Sequence, residues 1–257
     1  MNPNKPVTVQ APHKPLTEYY ASEQDRQAYL RRIFNSTAAS YDRIESLLAW
    51  GTGPGYRHAA LVRAGLITDM RVLDVGVGTG LVAAQACRVV GDPSLVTGVD
   101  PSPGMLAASK LPASMILIEG RAESLPFPDN HFDFLSMGYA LRHISDLNMA
   151  FTEFNRVLKP GGRICILEIT KPHSRPGRWL LKSYMRGIIP LLTRLISRQQ
   201  DTATIWRYFW DSIEACVPPD QVLEALRTAH LIQVDRHLEL GIFSEYRACK
   251  AIPAQTN

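Results

Sequence analysis

Met70-Arg-Val-Leu-Asp-Val-Gly-Val-Gly-Thr-Gly80, read with Gly98-Val-Asp100, decides the fold. Val72, Leu73 and Val75 form a short aliphatic and β-branched run. Glycines at 76, 78 and 80 interrupt it directly before Leu81-Val-Ala-Ala-Gln-Ala86, which reads as helix. The pattern is strand, tight turn, helix. Glycines let the chain take positive φ and leave room for a ligand against the backbone, and the helix start offers unpaired N–H groups. Asp100, twenty residues past Gly80, ends a second apolar strand. A carboxylate there can accept hydrogen bonds from both hydroxyls of a ribose. A nucleoside ligand is expected.

The glycine spacing narrows the ligand. A dinucleotide turn wants Gly-x-Gly-x-x-Gly/Ala, with a small third residue that lets helix and strand pack around a pyrophosphate. Here that position is Leu81, and the glycines run Gly-x-Gly-x-Gly after Asp74. An acid at this point repels a diphosphate and suits an ammonium group. A ligand with a ribose, no phosphate and an amino-acid tail is S-adenosyl-L-methionine, and Asp74 to Gly80 resembles the first motif of the class I methyltransferases.

With 257 residues, 46% of them hydrophobic, the chain can build one α/β domain with a sizeable core and appended helices. A net charge of +4 is too small to argue for a nucleic-acid partner. Cys87, Cys165, Cys216 and Cys249 are scattered with no Cys-x-x-Cys pair, so neither a zinc site nor a disulfide framework is suggested. Apolar runs stop short of a membrane span, and the N-terminus lacks a secretion pattern. A cytoplasmic protein is expected.

Residues 1–16 carry four prolines among polar residues and read as a flexible tail. Residues 17–257 read as a single domain. In it, 23–66 form N-terminal cap helices, with Tyr29, Ile33 and Phe34 on one face and Tyr41, Ile44, Leu47 and Leu48 following at helical spacing. After the glycine turn come strand candidates at Leu95–Asp100, Met115–Glu119, Phe132–Met137 and Arg163–Ile169, alternating with helical stretches. Alternation of this kind implies right-handed crossovers and a mostly parallel, Rossmann-like α/β sheet with helices on both faces. Ligands then sit at the carboxyl ends of the strands. Gly76 to Gly80, Asp100, Glu119 to Glu123 and Met137 to Arg142 therefore point at one cleft. Two closing strands are expected at Ile232–His237 and Ile242–Cys249.

Between Glu168 and Asp201 there is no acid, while Lys171, Arg175, Arg178, Lys182, Arg186, Arg194 and Arg198 alternate with Trp179, Leu180, Leu181, Ile188, Ile189, Leu191 and Leu192. This basic amphipathic segment reads either as a substrate lid, within an insertion at 173–210, or as a contact with an anionic membrane surface or an amphiphilic substrate.

Further motifs sharpen the resemblance: Phe34-Asn35-x-x-Ala38-x-x-Tyr41-Asp42, Asp100-Pro101-Ser102-x-x-Met105-Leu106, Ala122-Glu123-x-Leu125-Pro126-Phe127, Leu141-Arg142-x-x-x-Asp146, Arg156-Val157-Leu158-Lys159-Pro160-Gly161-Gly162 and Leu167-Glu168-x-x-Lys171-Pro172. A weaker match continues through Arg207-Tyr208 and Asp211-Ser212-Ile213. In this order they resemble the UbiE family, C-methyltransferases of ubiquinone and menaquinone biosynthesis, from about Phe34 to the C-terminus. The resemblance implies that Asp74, Gly76, Gly78, Thr79 and Gly80 hold the methionine end and ribose, and that Asp100 holds the ribose hydroxyls. It also places Pro101 or Met105 on the adenine face, Arg121 and Ala122 at the adenine edge and Tyr41 over the cofactor, with Met137 at the strand end beside it. Departures fall mainly on the acceptor side. Arg121 stands where many relatives carry Asp or Asn, Ala140-Leu141-Arg142-His143 where the family has Gly-Leu-Arg-Asn, and Glu45 where it has Asn. Gly51 to Arg57 replaces a His-Arg loop, and Ile213-Glu214-Ala215-Cys216 replaces Ile-Arg-x-His. A working methyltransferase with a changed substrate is expected.

Methyl transfer to a quinol carbon needs alignment at near-attack distance and removal of a phenolic proton. A guanidinium is always protonated and suits an oxyanion better than a proton. His143 titrates near ~6.5 and can take one. The expected catalytic group is therefore His143 as base and Arg142 steadying the phenolate, with Tyr139 beside them and no metal. The competing reading makes His143 an exposed cap residue before Ser145-Asp146. Three function classes stay open. They are methylation of a small aromatic or apolar acceptor (at C, or at O or N of a secondary metabolite), a non-methylating use of the same cofactor such as amination or cyclisation, and nucleoside binding without catalysis. A homodimer is left open.

Overall fold

The computed structural model describes residues 10–48, 52–191 and 200–253. Trp50, Gly51, Leu192, Arg194 and Arg198, and the side chains of Ile44, Glu45, Leu47 and Leu48, to which the sequence reading gave parts, lie outside the described residues, as do residues 1–9.

β1 (Val72–Val75) is the centre from which the sheet grows, and all its residues are buried. β2 (Val96–Asp100) pairs with it in parallel, Val72 opposite Val96 and Val75 opposite Val99. β3 (Ile116–Glu119) lies parallel outside β2. On the other side come β4 (Phe132–Gly138) and β5 (Leu158–Ile169), both parallel. β7 (Phe243–Lys250) inserts antiparallel between β5 and β6 (Leu231–Glu239). The order β3-β2-β1-β4-β5-β7-β6 reverses direction between β1 and β4, so the cleft opens at their carboxyl ends. The Rossmann-like sheet expected from the strand–helix alternation is present.

Strands buried on both faces explain the near-continuous apolar runs. Leu73 and Val75 face a core shared with α5 (Leu147–Val157) and α8 (Pro219–Thr228), through Phe151, Phe154, Val222 and Leu226. Val72 faces the other core, against Leu61 of α2 (Gly53–Arg63) and Ala83 and Ala86 of α3 (Ala83–Val90). α4 (Pro103–Ala108) follows β2.

A third core sits over the strand ends. α1 (Glu23–Leu48) is one continuous helix of 26 residues, about 39 Å at 1.5 Å per residue. Its Ile33 packs with Tyr208, Phe209 and Trp210 of α7 (Gln200–Ala215) and with Met185. Met185 belongs to a π-helical turn, Ser183–Ile188, that continues α6 (Arg175–Lys182). Wider turns of this kind recur at functional sites.

Gln10 to Leu16, expected as the end of a flexible tail, is docked. Leu147 N donates to the Gln10 carbonyl at 2.9 Å and Val217 N to the Pro12 carbonyl at 2.7 Å. His13 is 5% exposed. Proline content lowers the chain's freedom as readily as it prevents helix, and tertiary hydrogen bonds took up the backbone that composition left unassigned.

Candidate active site

The glycine turn is built by backbone. Gly76 N and Val77 N both donate to the Val99 carbonyl, at 2.8 and 3.0 Å, which pins the turn onto β2. The glycines have different duties. At Gly76, φ is +69° and a Cβ would lie 2.6 Å from the Ala140 Cβ. At Gly78, φ is +56° and nothing lies within 4 Å, so this backbone opens to the cleft. Gly80 does not line the cavity. A Cβ there would strike Leu111, and its N–H closes the turn on Val77 O at 2.9 Å.

Two carboxylates face the same space. Asp100 accepts from Gly78 N on one oxygen and Ser102 N on the other, each at 2.8 Å, leaving lone pairs for two hydroxyls. Burial pushes it up to about 6, against the pull of those two bonds. Asp74 accepts from Ser136 Oγ at 2.6 Å on Oδ1, while Oδ2 is buried with no partner. Burial pushes this carboxyl up to about 7, with Asp100 adding to the rise. An ammonium on the unused oxygen would reverse that shift. The open Gly78 backbone, the orphaned Asp74 oxygen and the half-used Asp100 carboxylate fit the amino-acid and ribose ends of S-adenosyl-L-methionine.

Neighbouring loops complete this half. Ser102 caps α4, its Oγ accepting from Met105 N at 3.2 Å and donating to Asn35 Oδ1 at 2.7 Å. Met105 is buried and Pro101 exposed, and both line the cavity, as do Tyr41, Thr79, Ala122 and Met137. Arg121 also lines it, but its guanidinium donates to Ser145 Oγ at 2.9 Å. α1 closes this side: Thr79 Oγ1 donates to Asp42 at 2.5 Å, and Arg31 pairs with Glu119 at 2.7 Å.

The other half begins where β4 ends. Tyr139 sits at φ +60°, a strained setting for a tyrosine, with its N–H on Leu167 O at 2.7 Å and its ring 5.6 Å from the Arg57 guanidinium carbon. A 3₁₀ turn, Leu141–His143, then presents Arg142 and His143. Arg142 is 3% exposed and less free than the sequence suggested. One terminal nitrogen is paired with Glu168, Nε donates to Ser212 Oγ at 3.1 Å, and the Phe209 ring lies 5.1 Å away. Burial raises the Glu168 pKa while Arg142 opposes the rise.

His143 is half-buried against the cavity, its Nδ1 3.3 Å from the Tyr208 hydroxyl and its ring stacked on Tyr208 at 5.6 Å. Burial first, then Arg142, holds its pKa well below the ordinary histidine value, so the ring is neutral. The cap-residue reading fails. Asp146 caps α5 by accepting from Asn148 N and Met149 N at 2.9 and 3.4 Å.

Aromatic and apolar side chains finish the pocket: Tyr56 and Ile189, and also Trp206, Phe209, Phe243, Tyr184 and Met185, which the sequence did not single out. The available signal was the Arg207-Tyr208 and Asp211-Ser212-Ile213 match, which marks α7 without saying which face turns inward. Part of the basic stripe is paired at the surface: Arg178 with Glu214 at 3.1 Å and Arg186 with Asp211 at 3.0 Å, both arginines staying exposed. Trp179, Leu180, Ile188 and Leu191 are exposed. At the rim formed by Glu239 and Phe243, His237 meets Glu239 and Glu245, but Arg63 spans both carboxylates at 3.0 and 2.7 Å. Among the described residues no helix is long and apolar enough to cross a membrane.

The cavity holds about 1040 Å³. That lies at the upper end of the roughly 300–1,000 Å³ typical of small-molecule pockets.

Comparison with known proteins agrees with this geometry. The model of the ubiE/COQ5 methyltransferase family matches residues 22–250. The ubiquinone/menaquinone biosynthesis C-methyltransferase UbiE of Shewanella oneidensis is 30% identical over 241 residues, 90% of this chain and 95% of its own length. Among solved structures, a SAM-dependent methyltransferase from Thermotoga maritima superposes with a TM-score of 0.60 at 20% identity, covering 85% of this chain and 99% of its own. Phosphoethanolamine N-methyltransferase 2 of Haemonchus contortus, solved with S-adenosyl-L-methionine, gives 0.61 at 19%, covering 93% of this chain and 62% of its own. These two share the fold. The chain belongs to the ubiE/COQ5 methyltransferase family and is a methyltransferase that uses S-adenosyl-L-methionine.

Proposed function

We propose that the protein methylates a ring carbon of a small quinol or phenolic acceptor, of the kind used in quinone biosynthesis or carrying an isoprenoid chain. The observation behind this reading is a single cavity whose one half is polar and carboxylate-lined and whose other half is aromatic, with His143 and Arg142 on its wall. When bound, S-adenosyl-L-methionine supplies a methyl group already activated by a sulfonium. What remains for the chain is alignment, exclusion of water and movement of one proton.

Asp74 would hold the amino group, Asp100 the ribose hydroxyls, and Met105 and Ala122 the adenine. On the acceptor side, neutral His143 would carry its hydrogen on Nδ1, donated to the Tyr208 hydroxyl 3.3 Å away, and offer Nε2 as the proton acceptor. Arg142, anchored by Glu168 and Ser212, turns its remaining terminal nitrogen to the phenolate oxygen. Tyr139 walls the ring pocket, and the segment 173–210 is the lid. Its outer face, with Trp179, Leu180, Ile188, Leu191, Arg175 and Lys182 exposed, would rest on an anionic membrane surface from which an apolar acceptor is drawn.

Methyl-labelled donor and a panel of quinols, phenols and isoprenoid-bearing rings test the reading. Label on a ring carbon is expected. Label on oxygen or nitrogen, or an unlabelled product, would refute carbon methylation. A blue shift of tryptophan emission with anionic but not zwitterionic vesicles is expected of the outer lid face, and its loss in a Trp179→Ser variant would assign it.

A further inference from the structure

The loop 140–146 carries Arg142 and His143, and it is fastened from three directions. Arg26 of α1, 2% exposed, donates to the Ile144 carbonyl at 2.6 Å. Glu123, from the connection after β3, accepts from Ser145 N at 2.5 Å. The third fastening comes from the far N-terminus: Gln10 N donates to Asp146 Oδ1 at 3.3 Å, and its carbonyl accepts from Leu147 N at 2.9 Å. The same segment is tied at Pro12 to Val217, beyond α7.

Between these ties lies a buried histidine. His13 Nδ1 faces the Lys14 carbonyl at 2.7 Å, so that nitrogen carries the proton, and Nε2 is buried with no partner. The Arg142 main chain lies against the ring, and the charges of Arg26 and Arg142 act on it. Burial and the two arginines keep it neutral.

We propose that Gln10–Leu16 is an arm that holds the acceptor-side loop in its working shape, with His13 as the positioning residue for Arg142 and His143. The effect on turnover rests on the methyl-transfer reading above; the effect on the loop does not. Catalytic groups held loosely by about an ångström lose rate steeply, and neighbouring side chains and hydrogen bonds prevent that. Gln10→Pro tests the arm by removing one backbone donor at its outer edge. His13→Ala tests the ring, and His13→Gln returns a polar side chain of similar reach.

Each full-length variant is followed by amide hydrogen exchange across 138–149 with S-adenosyl-L-homocysteine bound, by calorimetric affinity for that product, and by turnover on an acceptor that the wild type accepts. Faster exchange confined to the loop is expected in His13→Ala and, to a lesser degree, in Gln10→Pro. Turnover should fall about tenfold in His13→Ala, with cofactor-product affinity within about twofold of wild type and partial recovery in His13→Gln. Unchanged loop exchange in both Gln10→Pro and His13→Ala would overturn the proposal. So would an equal loss of cofactor-product affinity and turnover, which would place the effect on the whole cleft. If the wild type turned over no acceptor, the methylation reading would fail while loop exchange still decided the arm.

Discussion

The donor half of the cleft and its acceptor half are built in opposite ways. The donor half comes largely from one run of chain, β1 to β3 with its loops, and presents the Gly78 backbone and two carboxylates. The acceptor half gathers a turn after β4, Glu168 from β5, Ser212 from α7 and aromatic rings from several elements, so packing decides it. A local motif can hold a constant ligand while distant parts reshape the pocket for a variable one.

The largest expected effect tests whether the acceptor half is held by its buried ion pair. Glu168→Ala leaves the Arg142 guanidinium buried without its carboxylate, and removing one partner of such a pair costs about 3–5 kcal/mol. Denaturant titration should find that loss; less than ~1 kcal/mol would mean that Ser212 alone suffices to anchor the guanidinium.

Next comes the base. General-base groups are worth about 10²–10⁴ in rate, so His143→Asn should lower kcat by at least ~100-fold while donor affinity, measured calorimetrically, holds. Unchanged turnover would remove His143 from the chemistry and leave it as packing against Tyr208.

On the donor side, Asp74→Asn should weaken S-adenosyl-L-methionine by roughly 10- to 100-fold, the worth of one charge-assisted hydrogen bond, with the acceptor KM unaltered. The same residue sets a pH signature. Its folded value of about 7 lies above the ordinary 3.8, and Asp100, at about 6, behaves alike. Between 3.8 and 7 the empty folded protein therefore holds more protons than the unfolded chain, and its stability falls as pH rises through that window. An ammonium ligand needs the ionised carboxylate, so binding expels a proton below pH 7 and affinity rises from about pH 6 to 8. Calorimetry in two buffers of different ionisation enthalpy checks this, and equal heats at pH 6 would sink it.

The smallest effect concerns the closure by α1. Asp42→Asn weakens the bond from Thr79 and should cost about 0.5–1.5 kcal/mol in donor binding, with no change in acceptor KM.

The donor half was legible before any coordinates because strand, turn and helix are consecutive. Asp74, the Gly76 and Gly78 turn and Asp100 lie within twenty-seven residues whose types report directly on backbone geometry. Even there, the sequence could not separate Gly78, which faces open space, from Gly80, which packs against Leu111. In the acceptor half, Arg142 and His143 could be named, but not the Glu168 and Ser212 anchors or the Tyr208 contact, since those pairs span 26, 70 and 65 residues.

The amino-acid sequence by itself determined the sheet, the cofactor and the family, because hydrophobic period and glycine spacing are local properties written along the chain. Only the tertiary structure decided that Arg142 is held in a buried pair, that Arg178 and Arg186 are paired with acids of α7, and that a proline-rich N-terminal segment is docked against the acceptor loop. Those outcomes depend on which side chains meet across the fold, and on the burial that moves their charges, neither of which composition or periodicity encodes.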